Sequence, residues 1–163
     1  MARASDKANE KTNVMRLLDQ AGISYTQRYY DPEQTAGEEI AALLGEDPSC
    51  VFKTLVTADG KGEHYVFVIP VTGSLDLKKA AKAAGCKAIA MIKQKELLPL
   101  TGYVHGGCSP VGMKKPFPTF IDETALITDA FFCSAGRRGA QMGVDPQALA
   151  DYIGAAFADL TEE

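Results

Sequence analysis

The sequence lacks the features by which membrane, secreted and nucleotide-binding proteins are usually recognised. No apolar segment approaches the length that spans a bilayer, and residues 1–7 are polar without a following apolar stretch of the signal-peptide kind. We therefore expect a cytoplasmic protein without a membrane partner. The sequence also contains neither a P-loop nor a dinucleotide-binding fingerprint, so it offers no evidence for those nucleotide sites.

Cysteine and histidine are sparse and scattered. The four cysteines lie at positions 50, 86, 108 and 133, and a chain of 163 residues can bury a stable core without disulfides. We expect free thiols. With only His64 and His105 present, and no two cysteines close together, we predict no structural zinc site and no cofactor.

Familiar nucleophile patterns are also missing. There is no Gly-x-Ser-x-Gly motif, and a catalytic triad could draw on only two histidines, one of which opens a predicted strand. Cys108 lies near His105 in sequence, but proximity on a loop is not the spatial pairing that activates a thiol. This weak pairing leaves a thiol-dependent hydrolase that uses Cys108 as one alternative function.

Charge is distributed unevenly along the chain. The net charge of −4 argues against a protein that coats nucleic acid, yet residues 50–140 carry twelve Lys and Arg against seven Asp and Glu. The acidic surplus lies toward the two ends of the chain. The middle of the chain could thus present a locally basic face to phosphate.

Hydrophobic periodicity predicts a single mixed-sheet α+β domain over residues 1–163, with about seven strands and about four helices. Strands are predicted at 23–30, 51–57, 64–71, 88–92, 119–121, 130–134 and 140–144, and the second and third form an antiparallel hairpin. The segments before residue 9 and after residue 160 are expected to fray.

Helix boundaries follow from cap residues. One helix ends at Gly22, and a second opens with a capping box at Thr35, buries Ile40, Leu43 and Leu44, and ends at Gly45. A third ends at Gly85, and the last opens with Asp145 and Pro146 and extends to Phe157. Residues 101–118 contain four glycines and three prolines, which predicts a long functional loop.

Lys53 is the most informative single residue. It lies in an apolar, β-branched run, and strand alternation places it on one face with Val51 and Leu55. An ammonium group in such a place needs an anionic or carbonyl partner, which a ligand could supply, unless the side chain simply extends to water. Both readings stay open on this residue alone.

Glycine-rich turns at 106–110 and 134–139 add to this picture. Glycine lets backbone N–H groups approach a ligand closely and hold an oxyanion or a phosphate oxygen. Together with a lysine, such turns suit an ester or phosphate substrate, although most turns of this kind only connect strands.

Four ordered motifs resemble those of the YbaK family of aminoacyl-tRNA deacylases. They are residues 51–56 (VFKTLV), 73–79 (GSLDLKK), 101–110 (TGYVHGGCSP) and 134–139 (SAGRRG), and the similarity covers about residues 12–158. The resemblance implies the fold of the editing domain inserted in some prolyl-tRNA synthetases, a mixed β-sheet or barrel flanked by helices. It implies a trans-acting enzyme that removes a mischarged amino acid, above all cysteine, from tRNA(Pro) or tRNA(Cys). The implied partners are the 3′ acceptor end of aminoacyl-tRNA and prolyl-tRNA synthetase.

The resemblance also implies a set of site residues. Lys53 matches the family's essential lysine, and Gly106 and Gly107 are predicted to act with it in catalysis. The predicted substrate-binding residues lie in the matched motifs or outside them on either side: Tyr25, Ala36, Thr54, Ser109, Pro110, Ser134, Gly136, Arg138 and Gln141. The arginines and lysines at 137, 138, 114 and 115 are candidates for contacts with the acceptor end, with Arg138 favoured.

Three positions depart from the family pattern. Cys108 stands at an aliphatic position, Gln141 stands where some members have aspartate, and Ala36 replaces a bulkier residue. Since one methyl group in a pocket changes discrimination by only about 1–3 kcal/mol, a deacylase for alanine or another small residue is an alternative. A non-catalytic module that binds aminoacyl-tRNA or a synthetase is another. The resemblance suggests that the thiol of a cysteinyl substrate attacks its own ester, which removes the need for a protein base.

Overall fold

The computed structural model describes residues 10–162 of the chain. They form an α+β fold. The helices are α1 Asn13–Ala21, α2 Gly37–Leu44, α3 Leu77–Ala84, α4 Gln94–Thr101 and α5 Pro146–Ile153, with short 3-10 helices at Pro48–Cys50 and Glu123–Ile127. The strands are β1 Tyr25–Tyr29, β2 Phe52–Ala58, β3 His64–Pro70, β4 Ala90–Met91, β5 Thr119–Asp122, β6 Phe131–Arg137, β7 Ala140–Val144 and β8 Ala156–Ala158.

The strands make two sheets. The larger has the order β4-β2-β3-β5-β8 and is mixed, because β4, β2 and β3 pair antiparallel whereas β3, β5 and β8 pair parallel. The smaller has the order β1-β7-β6 and is antiparallel throughout. A parallel bridge between Val51 and Phe132 joins them. The prediction of a mixed α+β fold is confirmed, but the described strands number eight and stay in two sheets without closing into a barrel.

Two apolar clusters lie on opposite faces of the larger sheet. In β3, Val66 and Val68 belong to the main core, and Phe67 and Ile69 belong to the second cluster, which α3 covers. This alternation has the period of two that a strand buried on both faces requires. In the main core, Phe52 of β2 meets Phe131 of β6 edge to face at 5.1 Å between ring centroids. That contact helps to set β6 beside the beginning of β2.

Several local predictions are confirmed. Strands β2 and β3 form the predicted antiparallel hairpin. Helix α1 ends at Gly22, whose φ of 73° is the left-handed conformation that glycine adopts most easily. Asp145 caps α5, since its Oδ2 accepts a hydrogen bond from the Ala148 N–H at 2.8 Å, and Pro146 takes the first helical position.

The predicted capping box of the second helix is wrong. Helix α2 begins at Gly37 with Ala36 as its N-cap, and no side chain caps it. The helix packs so closely against Val71, the residue after β3, that a Cβ on Gly37 would lie 2.3 Å from Val71 Cγ1. This tertiary contact, which the local sequence does not reveal, starts the helix after Thr35. The predicted buried Leu43 is 61% exposed.

The predicted end of the last helix is also wrong. Helix α5 stops at Ile153, and Ala156–Ala158 forms β8, which pairs with β5. The open edge of β5 offers hydrogen bonds that a further helical turn could not use. Strand β6 runs to Arg137 rather than 134, with an irregularity between Ser134 and Arg137. Helix α4 was not predicted, because Pro99 lies inside it.

The prediction that both ends of the chain fray can be checked at one end only. The segment before residue 9 lies outside the described residues. Near the other end, Thr161 bridges to Leu75 and the Glu162 N–H donates to the Ser74 carbonyl at 2.9 Å. The expectation of fraying directly after Leu160 is therefore wrong, because residues 161 and 162 pair with the segment before α3.

Asp122 should be a major support of this end of the sheet. It is 1% exposed, its Oδ1 accepts from the Leu160 N–H at 2.9 Å, and its Oδ2 accepts from the Thr124 N–H and hydroxyl. Asp122→Ala leaves these donors unpaired and should lower the free energy of unfolding by about 2–3 kcal/mol. Urea unfolding measures this. The exposed Asp129→Ala serves as control and should change it by less than about 0.5 kcal/mol. Equal effects in both variants would contradict the assignment.

Candidate functional site

A cavity of about 390 Å³ opens between the two sheets at the beginning of β2. Its walls come from the segment before α2 and the first turn of that helix, the residues 51–55, the 105–108 part of the long loop, and facing residues of β6 and β7. The volume is within the usual range of small-molecule sites, about 300–1,000 Å³. The cavity is therefore large enough to hold a small acyl group together with part of the molecule to which that group is bonded.

The short length of β4 explains why β2 forms a wall. Strand β4 pairs only with Thr57 and Ala58, so within residues 10–162 the stretch before them has no strand on that edge except at the Val51 bridge. Consecutive residues, including Lys53 and Thr54, therefore line the cavity although they alternate in direction along the strand. Lys53 is half-buried. Lys53 is thus one of the residues that line the cavity.

The cavity brings together six of the predicted site residues from five separate segments of the chain. They are Ala36, Lys53, Thr54, Gly106, Ser134 and Gln141. The predicted catalytic lysine and the first predicted catalytic glycine thus line one cavity.

Gly107 does not line this cavity. It is buried against the turn between β6 and β7, where a Cβ would lie 2.9 Å from the Arg138 N. Its N–H already donates to the Val104 carbonyl at 3.0 Å. The close approach of two backbones requires glycine here, and the amide is used within the loop.

Arg138 holds the same loop from the outside. Its Nε donates to the His105 carbonyl at 2.8 Å, and its side chain is exposed beside Gly106. Gly106 has a φ of 84°, so this turn also needs the left-handed conformation of glycine. Arg138 therefore fixes the cavity rim, whatever else it binds.

The remaining predicted residues lie away from the cavity. Ser109 is fully buried and its Oγ accepts from the Val111 N–H at 3.2 Å, and Pro110 beside it is buried too. Gly136 lines a second, smaller cavity with Tyr103. The Tyr25 hydroxyl donates to Asp19 Oδ1 at 3.0 Å on the other side of β1. These four support the loop and the sheet around the site.

Sequence reasoning missed several lining residues, among them Tyr30, Thr35, Glu38, His105 and Cys133. Burial raises the pKa of the Tyr30 hydroxyl, which keeps it protonated near neutral pH. Tyr30 and Cys133 lie within the predicted strands 23–30 and 130–134, and only the pairing of β1, β7 and β6 reveals that they line the cavity. No local pattern marks them.

Two thiols line the cavity without being activated. Cys108 is 8% exposed and Cys133 is 1% exposed, and burial raises the pKa of each to about 12. Both are neutral near pH 7, whereas a nucleophilic thiol is a thiolate. The geometry therefore disfavours the alternative of a hydrolase that uses Cys108.

Unpaired polar atoms are concentrated at this site. Among residues 10–162, the buried side-chain oxygens without a hydrogen-bond partner are both carboxylate oxygens of Glu46, Thr54 Oγ1 and Gln141 Oε1. Thr54 and Gln141 line the cavity. Each such atom lowers the free energy of unfolding by about 1–3 kcal/mol, so these unpaired acceptors destabilise the fold. A ligand with hydrogen-bond donors would satisfy them.

The arrangement suits binding and polarisation of an acyl group. It offers an ammonium group at Lys53, a glycine backbone at Gly106, unpaired acceptors, and a wall of neutral thiols and aliphatic side chains. No residue of this wall pairs with a base as a catalytic nucleophile does in a triad. Chemistry here must come from orientation and charge stabilisation.

Comparisons with known proteins agree with one another. The family model "Aminoacyl-tRNA editing domain" matches residues 31–152. A protein of Enterococcus faecalis named "Putative Cys-tRNA(Pro)/Cys-tRNA(Cys) deacylase EbsC" is 41% identical over 160 residues, which cover 97% of this chain and 98% of that protein. A proline–tRNA ligase of Nautilia profundicola is 26% identical over 116 residues, 69% of this chain but only 20% of the ligase.

A solved structure has the same fold. It is described as "Crystal structure of a putative trans-editing enzyme for prolyl tRNA synthetase", with a TM-score of 0.81 and 26% identity, and each chain is covered completely. In residues 10–162, no helix combines the length and the apolar character needed to cross a bilayer.

Thiol labelling tests the state of the cavity cysteines. Iodoacetamide at pH 7.5 should modify the half-buried Cys50 and Cys86 of the native protein well before Cys108 and Cys133, as mass spectrometry of digested samples can show. Because the pKa of the two buried thiols is raised to about 12, their labelling should increase as the pH rises. Labelling of Cys108 as fast as that of Cys50 would indicate an activated thiol and restore the nucleophile hypothesis.

Proposed function

The chain belongs to the aminoacyl-tRNA editing domain family, and from this we propose that it is a trans-acting deacylase that removes mischarged cysteine from tRNA(Pro) or tRNA(Cys). The observation that carries the proposal is the single cavity that Lys53 and Gly106 both line together with unpaired acceptors. That cavity has the groups needed to hold an aminoacyl ester and to stabilise charge on its carbonyl oxygen.

Action in trans is supported by the extent of the similarity. The chain matches nearly the whole of the Enterococcus faecalis protein but only a fifth of the proline–tRNA ligase. The Enterococcus faecalis relative, 98% of which is matched, is thus about the size of the matched region alone. In our proposal the substrate reaches the chain as free aminoacyl-tRNA or as a complex handed over by a synthetase.

Lys53 is the central residue of the mechanism that we propose. Its ammonium binds oxygens of the terminal nucleotide or the ester carbonyl, and the Gly106 N–H receives the developing oxyanion. Gly107, predicted to share this role, instead donates its N–H to Val104 and supports the turn. The apolar and thiol walls exclude water, which strengthens both interactions.

The substrate itself supplies the nucleophile in this mechanism. The cysteinyl thiol attacks the carbonyl carbon, the ester C–O bond breaks, and the ribose hydroxyl of the tRNA leaves with a proton. The resulting four-membered thiolactone is then opened by water to free cysteine. The cavity needs only to bring the thiol close to the carbonyl, which fits a site that lacks an activated side chain.

Selectivity for cysteine rests on more than size. Ala36 leaves space in the pocket, and a single methyl or thiol group changes binding by only about 1–3 kcal/mol. Alanine and other small residues would enter as well, so the attack by the substrate thiol gives the stronger discrimination. Alanine release remains the alternative function.

The tRNA end is expected at the cavity mouth. Arg138 is exposed beside Gly106, where it can meet a phosphate with the part of its guanidinium that faces solvent. We also propose prolyl-tRNA synthetase as a partner, which would deliver its own mischarged product. Co-purification of the chain with that synthetase in the presence of tRNA(Pro) would support this.

Lys53→Ala should abolish deacylation while leaving the fold intact. Loss of one preorganised donor in a dry site typically reduces kcat by about 10²–10³-fold. The deacylation rate is measured as the loss of labelled cysteine from Cys-tRNA(Pro), with the remaining aminoacyl-tRNA collected by acid precipitation. The exposed Lys61→Ala is the matched control and should act like the wild type. Full activity in Lys53→Ala would contradict the mechanism, and binding without cleavage by the wild type would instead favour a non-catalytic module.

Exchange of the substrate sulfur should reveal the nucleophile. Ser-tRNA(Pro) and Ala-tRNA(Pro) lack a group that attacks at neutral pH, so we expect their release to be at least about 100-fold slower than that of Cys-tRNA(Pro). Initial rates on the three substrates give the comparison. Similar rates on cysteine and alanine would show that water attacks directly and would favour the alternative function.

A further inference from the structure

Glu46 is an unusual buried acid. It follows α2, its backbone N–H donates to the Ala41 carbonyl at 2.8 Å, and its side chain is only 2% exposed. Within the described residues, neither carboxylate oxygen makes a contact with the distance and angles of a hydrogen bond. Arg28 Nε lies 3.9 Å from Oε2, too far for a hydrogen bond, and Arg28 itself extends over the Phe132 ring. A buried acid whose oxygens lack hydrogen bonds and whose charged neighbour lies this far away calls for a functional explanation.

The neighbour of Glu46 toward the cavity is Gln141. This residue lies in β7, where it pairs with Arg28 of β1 and Ser134 of β6, and it is 4% exposed. Burial raises the pKa of Glu46, and the contact with the Gln141 side chain and the charge of Arg28 act in the opposite direction. Glu46 and Gln141 thus interact across the wall of the cavity.

The orientation of the Gln141 amide follows from this contact. A charged carboxylate can only accept hydrogen bonds, so Gln141 turns its NH₂ toward Glu46. Its Oε1 then remains as a buried acceptor without a partner, and Thr54 Oγ1 is a second one in the same cavity. Two acceptors without donors are suited to a ligand group that can only donate.

The α-ammonium group of an aminoacyl ester is such a group, with three donors and no acceptor. We propose that Gln141 Oε1 and Thr54 Oγ1 bind this ammonium, and that Glu46 is the positioning residue that keeps the Gln141 oxygen turned toward it. The inference rests on the proposed function, because it identifies the part of that substrate which these atoms meet. Glu46 touches Gln141 and not the substrate.

Protonation of Glu46 should reverse the arrangement. A neutral carboxyl donates to Gln141 Oε1, and the Gln141 NH₂ then faces the cavity, where it opposes an ammonium group. Charged Glu46 therefore favours the substrate, and this preference is present above the pKa of Glu46 and lost as the pH falls through it. Arg28 is the charged group that faces Glu46 from β1, and it favours the charged form.

A substrate that lacks only the α-ammonium tests the proposal. The probe is 3-mercaptopropionyl-tRNA(Pro), which retains the thiol and the ester. Wild-type full-length protein should prefer Cys-tRNA(Pro) by about tenfold or more in kcat/KM, mainly through KM, as expected for a charged hydrogen bond. Uncatalysed hydrolysis of both esters in the same buffer corrects for the effect of the ammonium on ester reactivity.

Variants of Glu46 should lose this preference and keep the chemistry. Glu46→Ala removes the partner of the Gln141 amide, and the isosteric Glu46→Gln preserves the packing but no longer favours one amide orientation. Both should cleave the mercaptopropionyl ester at the wild-type rate while most of the preference disappears. Gln141→Met removes the acceptor itself and should also lose the preference, whereas Glu39→Ala, which removes an exposed acid of α2, should retain it in full.

A pH profile separates positioning from a structural role. As the pH falls below neutrality the wild-type preference should fall, because the pKa of Glu46 is raised, and in Glu46→Gln the preference should be small and independent of pH. Glu38, His105 and Tyr30 line the same cavity and are unchanged in that variant, so the difference between the two proteins isolates the contribution of Glu46. An active wild type whose preference is unchanged in both Glu46 variants overturns this inference alone. A wild type that cleaves neither ester overturns the proposed function and the inference with it.

Discussion

The open edge at the beginning of β2 is the constraint on which the site depends. Strand β4 covers only the end of β2, and the residues before it are left between the two sheets. This places Lys53 and Thr54, neighbours that point in opposite directions along an ordinary strand, around one cavity. The Phe52–Phe131 contact and the Val51 bridge keep the second sheet close enough to form the facing wall. A longer β4 would pair this edge and leave no site.

The loop after α4 completes the cavity by backbone contacts rather than by reactive side chains. Gly107 allows the loop to pack directly on the turn between β6 and β7, and Arg138 donates to the His105 carbonyl from the other side. Buried Ser109 satisfies an N–H within the loop. The rigidity of the loop fixes Gly106 at the rim, as a preorganised oxyanion donor requires.

The sequence predicted what is local and repeated, and missed what depends on contacts between distant segments. The hairpin, the first helix and the cap at Asp145 follow from periodicity and turn residues, and these are confirmed. Strand β8 and the start of α2 depend on the edge of β5 and on Val71, which no window of sequence contains. For the site, Lys53 could be inferred from its motif and Gln141 from the family resemblance just after the last motif, but Glu46 lies in no motif. Only the fold shows that its carboxyl is buried beside Gln141.

A structure with a non-cleavable substrate analogue tests the central claim most directly. In 3′-cysteinylamino-adenosine an amide replaces the labile ester at the end of the tRNA. A crystal structure of the chain with this ligand should place the cysteinyl carbonyl or the ribose oxygens within about 3 Å of Lys53 Nζ, with the acyl group in the cavity beside Gly106. A ligand bound elsewhere, or one whose acyl group points away from Lys53, would contradict the account.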